Sequence, residues 1–301
     1  MSSWPPVCDY EGSHYQEEFW ERGQRAYEDA CEAQTLRRLL PRSGRLLLEL
    51  GAGAGRNTSR YPGYDRIVLL DYSRTQLAQA RERLGDEPRY TYVAANIYRL
   101  PFVDGLFDGA TLIRTLHHLA QPPEALIEIR RVLAERAVFL LEYANKHNLK
   151  AIARFALRRQ TWSPFTLEPI EFAPLNFDFH PQAVRGWLTQ AGFRIQRQVT
   201  VSHFRVGWMK RALPTRMLVA LDRLAGTTGD LWQLSPSVFA RARAVGVSPT
   251  ASGFFQCPAC GGLPLEEVAP VHGTSGLRCS SCQRLWPRRN GIYDFKDAIE
   301  V

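Results

Sequence analysis

The stretch Glu49-Leu-Gly-Ala-Gly-Ala-Gly55 follows directly on the apolar run Arg45-Leu-Leu-Leu-Glu-Leu50, and no other feature constrains this chain as much. A strand that ends in alternating glycines must turn tightly and bring its backbone close to something. Only glycine combines the necessary dihedral freedom with the absence of a Cβ. A helix that begins beyond such a turn offers unsatisfied N–H groups to a ligand. Taken alone, the loop fits several nucleotides, NAD among them.

The surrounding pattern supplies the fold class. Further short apolar runs stand at 67–70, 90–95, 107–113 and 137–143, with helical periodicity between them at 74–84 and 123–133. Continuous apolar strands alternating with amphipathic helices imply a mostly parallel sheet covered on both faces. A helical pattern at 19–40 precedes the first run. Beyond Tyr143 the reading is a basic helix at 148–159, a loop rich in Pro and Phe at 161–179, and a helix at 181–191. A strand at 193–201, a helix at 213–224, a last strand at 237–244 and a linker at 245–253 follow. No stretch reaches the roughly 18 apolar residues of a membrane helix, so stable membrane insertion is not expected. Residues 1–9 lack a basic segment followed by an apolar core, so the cytoplasm is the expected location.

Spacing sharpens the ligand. Asp71 ends the second run, about 20 residues past the loop, where an acidic side chain can accept from both ribose hydroxyls. The dinucleotide pattern Gly-x-Gly-x-x-Gly is not met, because Arg56 stands where it needs a small residue. Glu49, just before the glycines, repels a pyrophosphate but suits a cationic amine.

Residues 45–143 resemble the class I S-adenosylmethionine (SAM)-dependent methyltransferase family, of the broad ubiquinone-biosynthesis-like group. The resemblance is carried by Leu-Leu-Glu-Leu-Gly-Ala-Gly-Ala-Gly-Arg, by Val-Leu-Leu-Asp-Tyr-Ser and by Asn96-Ile-Tyr-Arg-Leu-Pro-Phe102. It continues in Phe107-Asp-Gly-Ala-Thr-Leu-Ile-Arg-Thr-Leu-His-His-Leu119 and Glu128-Ile-Arg-Arg-Val-Leu133. It implies a Rossmann-like, mostly parallel seven-stranded α/β sheet with helices on both faces. It implies SAM as cofactor, with Glu49, Gly51, Gly53 and Gly55 toward the methionine part. Asp71 would hold the ribose, with Tyr72, Asn96 and Ile97 around the adenine. Asn96 departs from the family's usual Asp but can still accept from the adenine amino group. Residues 1–40, with Tyr10, Tyr15 and Tyr27, correspond to a segment that lids the cofactor in this family.

Methyl transfer needs alignment more than acid–base chemistry, so the acceptor is harder to read than the donor. His117 and His118, just past the fourth run, and Tyr143 at the end of the fifth are the candidates for positioning it. Three readings stay open. A small molecule is slightly favoured, received by Trp162, Phe165, Phe172, Phe177 and Phe179 of a substrate-facing insertion at 144–235. An RNA acceptor (tRNA or rRNA) would use the basic residues of 146–223, where 13 Lys and Arg face four Asp and Glu. A non-catalytic SAM-binding scaffold is the third.

Cys257-Pro-Ala-Cys260 and Cys279-Ser-Ser-Cys282, with 18 residues between them, have the spacing of a tetrahedral structural Zn²⁺ site. The tail from Leu277 to Phe295 resembles a zinc-ribbon family whose members activate methyltransferases. That implies a C-terminal zinc ribbon at 254–301 docking on the methyltransferase domain, 1–244, of the same chain.

Overall fold

The structure, a computed structural model, describes residues 4–13, 25–246, 252–271 and 274–299. Tyr15, the start of the helix expected at 19–40, and most of the linker expected at 245–253 lie outside those residues. Along the chain, α1 (Ala26–Leu39) leads into β1 (Gly44–Leu50), β2 (Tyr64–Asp71), α2 (Arg74–Leu84), β3 (Tyr90–Ala94), β4 (Phe107–Leu112), α3 (Pro122–Val132) and β5 (Leu133–Ala144). Next come α4 (Leu149–Ala156), β6 (Ile170–Ala173), β7 (Asn176–Asp178), α5 (Pro181–Gln190), β8 (Phe193–Val201), α6 (Gly207–Ala212), α7 (Thr215–Ala225) and β9 (Ser237–Ala244). The tail forms β10 (Leu265–Val271), β11 (Thr274–Cys279), β12 (Leu285–Arg289) and β13 (Ile292–Asp294).

The seven strands expected from the sequence run in the order β3-β2-β1-β4-β5-β9-β8. The first five are mutually parallel, and β9 lies antiparallel between β5 and β8. The chain winds outward from β1 to β3, then crosses to β4 on the other side of β1. The strand order therefore reverses between β1 and β4, which is where open α/β sheets bind ligands.

Each strand loads both faces, as a doubly covered sheet requires. Leu46, Leu48 and Leu50 of β1 join one core with Leu126 and Ile129 of α3 and Val184 and Leu188 of α5. Leu47 faces the other core, with Leu36 of α1, Leu77 and Ala80 of α2 and Leu218 of α7. Ser73 caps α2 by accepting from the Gln76 N–H at 3.2 Å, and Gly85 ends it at φ 80°.

Two features differ from the sequence reading. Residues 161–179 were expected as loop, yet β6 and β7 form a hairpin there. Its strands are too short to show an alternation. Within 144–235, α5 and β8 belong to the core rather than to an insertion, because their apolar faces pack on the sheet.

The tail continues the same sheet. β10 to β13 form an antiparallel meander, and β13 pairs in parallel with β3 through Ile292–Tyr92, Tyr293–Val93 and Asp294–Ala94. The edge that β3 would otherwise leave open is thus covered. Phe255 stacks on Phe102 at 5.8 Å and meets Phe295 at 5.1 Å, so the join is apolar as well. Among the described residues, no helix is long and apolar enough to cross a membrane.

Candidate functional site at the switch point

The glycine loop leaves β1 with Gly51, Gly53 and Gly55 all at positive φ, 65°, 53° and 71°. Such a run is strained for any other residue. A Cβ on Gly51 would stand 2.1 Å from Thr115 Oγ1, so the loop and the end of β4 are in direct contact. Gly55 serves a different purpose. Its missing Cβ admits Leu84 and Ala80, which lets α2 close on the loop.

Asp71 is fixed at the tip of β2. Its Oδ2 accepts from the Gly53 N–H at 2.8 Å and its Oδ1 from the Ser73 N–H at 2.9 Å. Each oxygen keeps a second lone pair for a ligand. Burial pushes its pKa up, against those two N–H bonds. Glu49 is buried at the base of the loop and accepts from Thr58 Oγ1 at 2.6 Å and Tyr61 Oη at 3.2 Å. Burial raises its pKa to about 7, although Thr58, Tyr61, Arg56 and Arg60 all oppose the shift.

Glu49, Gly51, Gly53, Asp71, Tyr72, Ile97 and His118 all line one cavity, together with Thr111, Arg114 and Thr115. Four other candidates do not line it. Gly55 faces α2. Asn96 turns its carbonyl oxygen onto the Tyr98 N–H at 2.9 Å. His117 packs its ring on that of His118, with centroids 4.1 Å apart. Tyr143 has no exposed surface and packs in the core with Phe179 and Val184, which fits a core residue rather than an acceptor-positioning one.

Val7, Cys8 and Tyr10 complete the lining from the N-terminal segment. His118 holds that segment in place. Its Nδ1 lies 3.1 Å from the Leu175 carbonyl, so Nδ1 carries the proton, and Nε2 then accepts from Tyr10 Oη at 3.2 Å. Burial keeps the His118 pKa below its usual range. The N-terminal aromatic pattern hinted at a lid; Val7 and Cys8 carried no signal.

Sequence reasoning missed the buried ion network beside the cavity. Glu32 of α1, with no exposed surface, pairs with Arg56 Nη2 at 2.7 Å and with Arg114. Burial alone would raise Glu32, but Arg114 and Arg56 hold it below the usual carboxylate range. Arg114 sits at φ 60°, and its N–H donates to Glu142 Oε2 at 3.0 Å. A helical position in α1 gave no indication of this, since polar residues on helices usually face water.

In the tail, Cys257 Sγ lies 3.7 Å from Cys282 Sγ and Cys260 Sγ 3.6 Å from Cys279 Sγ, and all four sulfurs fall within 4.8 Å of one another. Zinc–sulfur bonds of about 2.3 Å in a tetrahedron set sulfurs about 3.8 Å apart, so the four thiols fit the ion. The Gly262 N–H points at Cys260 Sγ, at 3.3 Å.

The family model described as a methyltransferase domain matches residues 48–141. A demethylmenaquinone methyltransferase of Beutenbergia cavernae is 27% identical over 161 residues, 52% of this chain and 65% of that protein. One from Clavibacter sepedonicus is 33% identical over 100 residues, 33% of this chain and 41% of that protein. The chain thus spans less than two thirds of the length of either relative. Among solved structures, a chain from the complex of the Haloferax volcanii Trm112 methyltransferase activator superposes with TM-score 0.55 at 15% identity, covering 77% of this chain and 96% of that one. The Burkholderia thailandensis 1,6-didemethyltoxoflavin-N1-methyltransferase, with bound 1,6-didemethyltoxoflavin and S-adenosylhomocysteine, superposes at 0.51 and 18% identity, covering 77% and 84%. At these identities the structural likeness is one of fold.

Proposed function

We propose that this chain, whose residues 48–141 match the methyltransferase-domain family, is a class I SAM-dependent methyltransferase that transfers the methyl group of SAM to a small-molecule acceptor. The observation that carries this reading is the cavity formed by Glu49, the left-handed glycines and Asp71 at the switch point of the sheet. At Gly53, where a Cβ would meet nothing closer than Gln76 Oε1 at 3.8 Å, the loop backbone lies open toward the cavity, so the residues fit the cofactor.

SAM supplies a methyl already activated by its sulfonium, so the protein's task is binding and alignment. Glu49, ionised, answers the positive charge of the methionine part. Asp71 presents its remaining lone pairs to the ribose hydroxyls. Tyr72 and Ile97 flank the adenine, and Asn96 supports that wall from behind. Val7 and Tyr10, tethered by His118, exclude water from the methyl. Val7, Cys8 and Tyr10 of the N-terminal segment line one side of the cavity and narrow it, which favours a small acceptor over a polymer.

The RNA alternative rests on charge alone, and the structure draws on several of those cations internally. Lys210 pairs with Glu28 at 3.1 Å, and the Lys146 ammonium donates to Thr166 and to the Glu168 carbonyl. Cys257, Cys260, Cys279 and Cys282 would hold a structural Zn²⁺, with no open position for catalysis. The ribbon built on that ion would act in cis, as a permanent edge to the cofactor-binding sheet.

The test is incubation of the purified protein with methyl-labelled SAM and fractionated cell extract. Label should enter the small-molecule fraction and should not do so with Asp71→Ala. Label confined to RNA would reverse the choice of acceptor, and no transfer from a protein that binds SAM would favour the scaffold.

A further inference from the structure

One face of α7 is buried and another is bare. Leu218 joins the core that holds Leu36 of α1, and Asp222 accepts from Tyr27 Oη of α1 at 2.9 Å, so these two mark the inner face. Met217, Leu221 and Leu224, spaced four and three apart, form an apolar stripe on the outside. The stripe continues past the helix. The N–H groups of Leu231 and Trp232 fold back onto the Thr228 carbonyl at 2.9 and 3.0 Å, which holds both residues beside the end of α7. Leu224, Leu231 and Trp232 are 70%, 80% and 62% exposed. The Leu149 N–H, at the start of α4, donates to the Leu234 carbonyl at 2.9 Å and brings an exposed leucine to the same region.

The chain path explains the clustering. Ala144, the last residue of β5, and Val201, the last of β8, both pair with Ser237 of β9. Residues 145–179 and 202–236 therefore leave the sheet at one end. That end carries the glycine loop, because β5 runs parallel to β4 and β4 to β1. Twelve of the sixteen large apolar side chains exposed among the described residues lie in these two segments. An apolar surface so concentrated marks a partner.

Charge and side-chain type select that partner. The same two segments hold ten Lys and Arg against five Asp and Glu. Arg216 and Arg223 flank the stripe, and Lys150 and Arg154 stand exposed on α4. Asp222 is buried, and Asp230 accepts from the Gln198 N–H at 2.5 Å. Leucine and methionine cannot stack on bases, which disfavours RNA. A symmetric second copy would set Arg216 and Arg223 against their own like charges. An anionic surface with an apolar interior answers both features at once.

We propose that the face built from α7, the turn at 229–232 and the start of α4 docks on the surface of an anionic phospholipid bilayer. The leucines and Trp232 enter the boundary between headgroups and acyl chains, while the arginines stay with the lipid phosphates. No described helix is long and apolar enough to cross a membrane, so the docking is peripheral. It is independent of the methyltransferase reading.

The test is co-sedimentation of the full-length protein with vesicles of equal parts phosphatidylglycerol and phosphatidylcholine, beside vesicles of phosphatidylcholine alone. The protein should sediment with the mixed vesicles and stay in solution with the neutral ones. Leu224→Ser combined with Trp232→Ser should weaken binding at least about tenfold, since both apolar groups then stay in water. Arg216→Gln combined with Arg223→Gln should weaken it by a similar factor without touching the apolar stripe. Both pairs are exposed, so each variant should melt with the parent. Ile127→Ser, exposed on α3 outside the two segments, should bind as the parent does. No sedimentation with the mixed vesicles, equal sedimentation with both kinds, or unchanged binding in either double variant would overturn the proposal. So would a dimer in light scattering that Leu224→Ser with Trp232→Ser dissociates, or binding of a uridine oligonucleotide that the same variant abolishes.

Discussion

Lys296, just past the last ribbon strand, carries its Nζ 4.2 Å from the centre of the Tyr72 ring, at the tip of β2. The same ammonium lies 3.6 Å from Glu11 Oε2. Glu11 in turn accepts from the Arg74 and Thr75 N–H groups at the start of α2, at 3.0 and 3.2 Å. The C-terminal tail, the N-terminal segment and one wall of the cavity thus meet at a single ammonium.

Lys296→Ala should therefore weaken S-adenosylhomocysteine binding although Lys296 does not line the cavity. A cation–π contact of this kind is worth about 0.5–1 kcal/mol, or roughly two- to fivefold in affinity. Calorimetry on the variant reads this directly, and an unchanged affinity would mean that Tyr72 is held by its other neighbours.

Gly51→Ala tests the loop. The added methyl meets Thr115 and occupies a left-handed conformation that costs roughly 1–2 kcal/mol on its own. Cofactor affinity should fall at least about tenfold, with a lower melting temperature. Gly12→Ala is the control: its φ is also positive, at 74°, but nothing lies within 4 Å of its Cβ position. Affinity should survive there.

The mostly parallel sheet and the glycine loop that ends its first strand were legible in the sequence because they carry a local signal. Leu46–Leu48 and Ile67–Leu70 are apolar throughout, as strands buried on both faces must be. The partners of those strands were harder to see. Parallel pairing of β13 with β3 joins residues about 200 apart, and nothing local in Ile292-Tyr-Asp294 marks it. Arg114 stands just past the end of β4, outside any periodic element, and Glu32 looks like any helical surface glutamate. Both acquire meaning only from what surrounds them in space. Asn96 and Gly55 read as cofactor contacts because they sit inside the motifs, yet local turns and helix packing occupy them.

Glu49 gives a pH dependence with a definite sign. Its pKa is raised to about 7 from an ordinary 4.5, so the folded chain holds that proton more tightly than the unfolded one. This contribution to stability is fully present below the unfolded value and is lost as pH rises through about 7. A cationic ligand favours the ionised form, so SAM affinity should rise between pH 5.5 and 7, by up to about tenfold per unit. Glu49→Gln should flatten that rise. A parallel pH profile in the variant would remove Glu49 from the account.

Elemental analysis should find one Zn²⁺ per chain. Cys279→Ser should lose it and unfold the ribbon, since metal binding supplies much of the folding energy of such a module. Because β13 borders β3, the loss should also lower the melting temperature of the whole chain and weaken cofactor binding. A metal-free ribbon that leaves both unchanged would separate the tail from the site.

The central claim, a SAM site at the switch point, is tested most directly by calorimetric titration of S-adenosylhomocysteine and NAD into the purified protein and into Asp71→Ala. One equivalent of S-adenosylhomocysteine should bind, NAD should give no heat of binding, and Asp71→Ala should weaken the former by about 1–3 kcal/mol, as for a lost buried hydrogen-bond partner. Binding of NAD without S-adenosylhomocysteine would contradict the account.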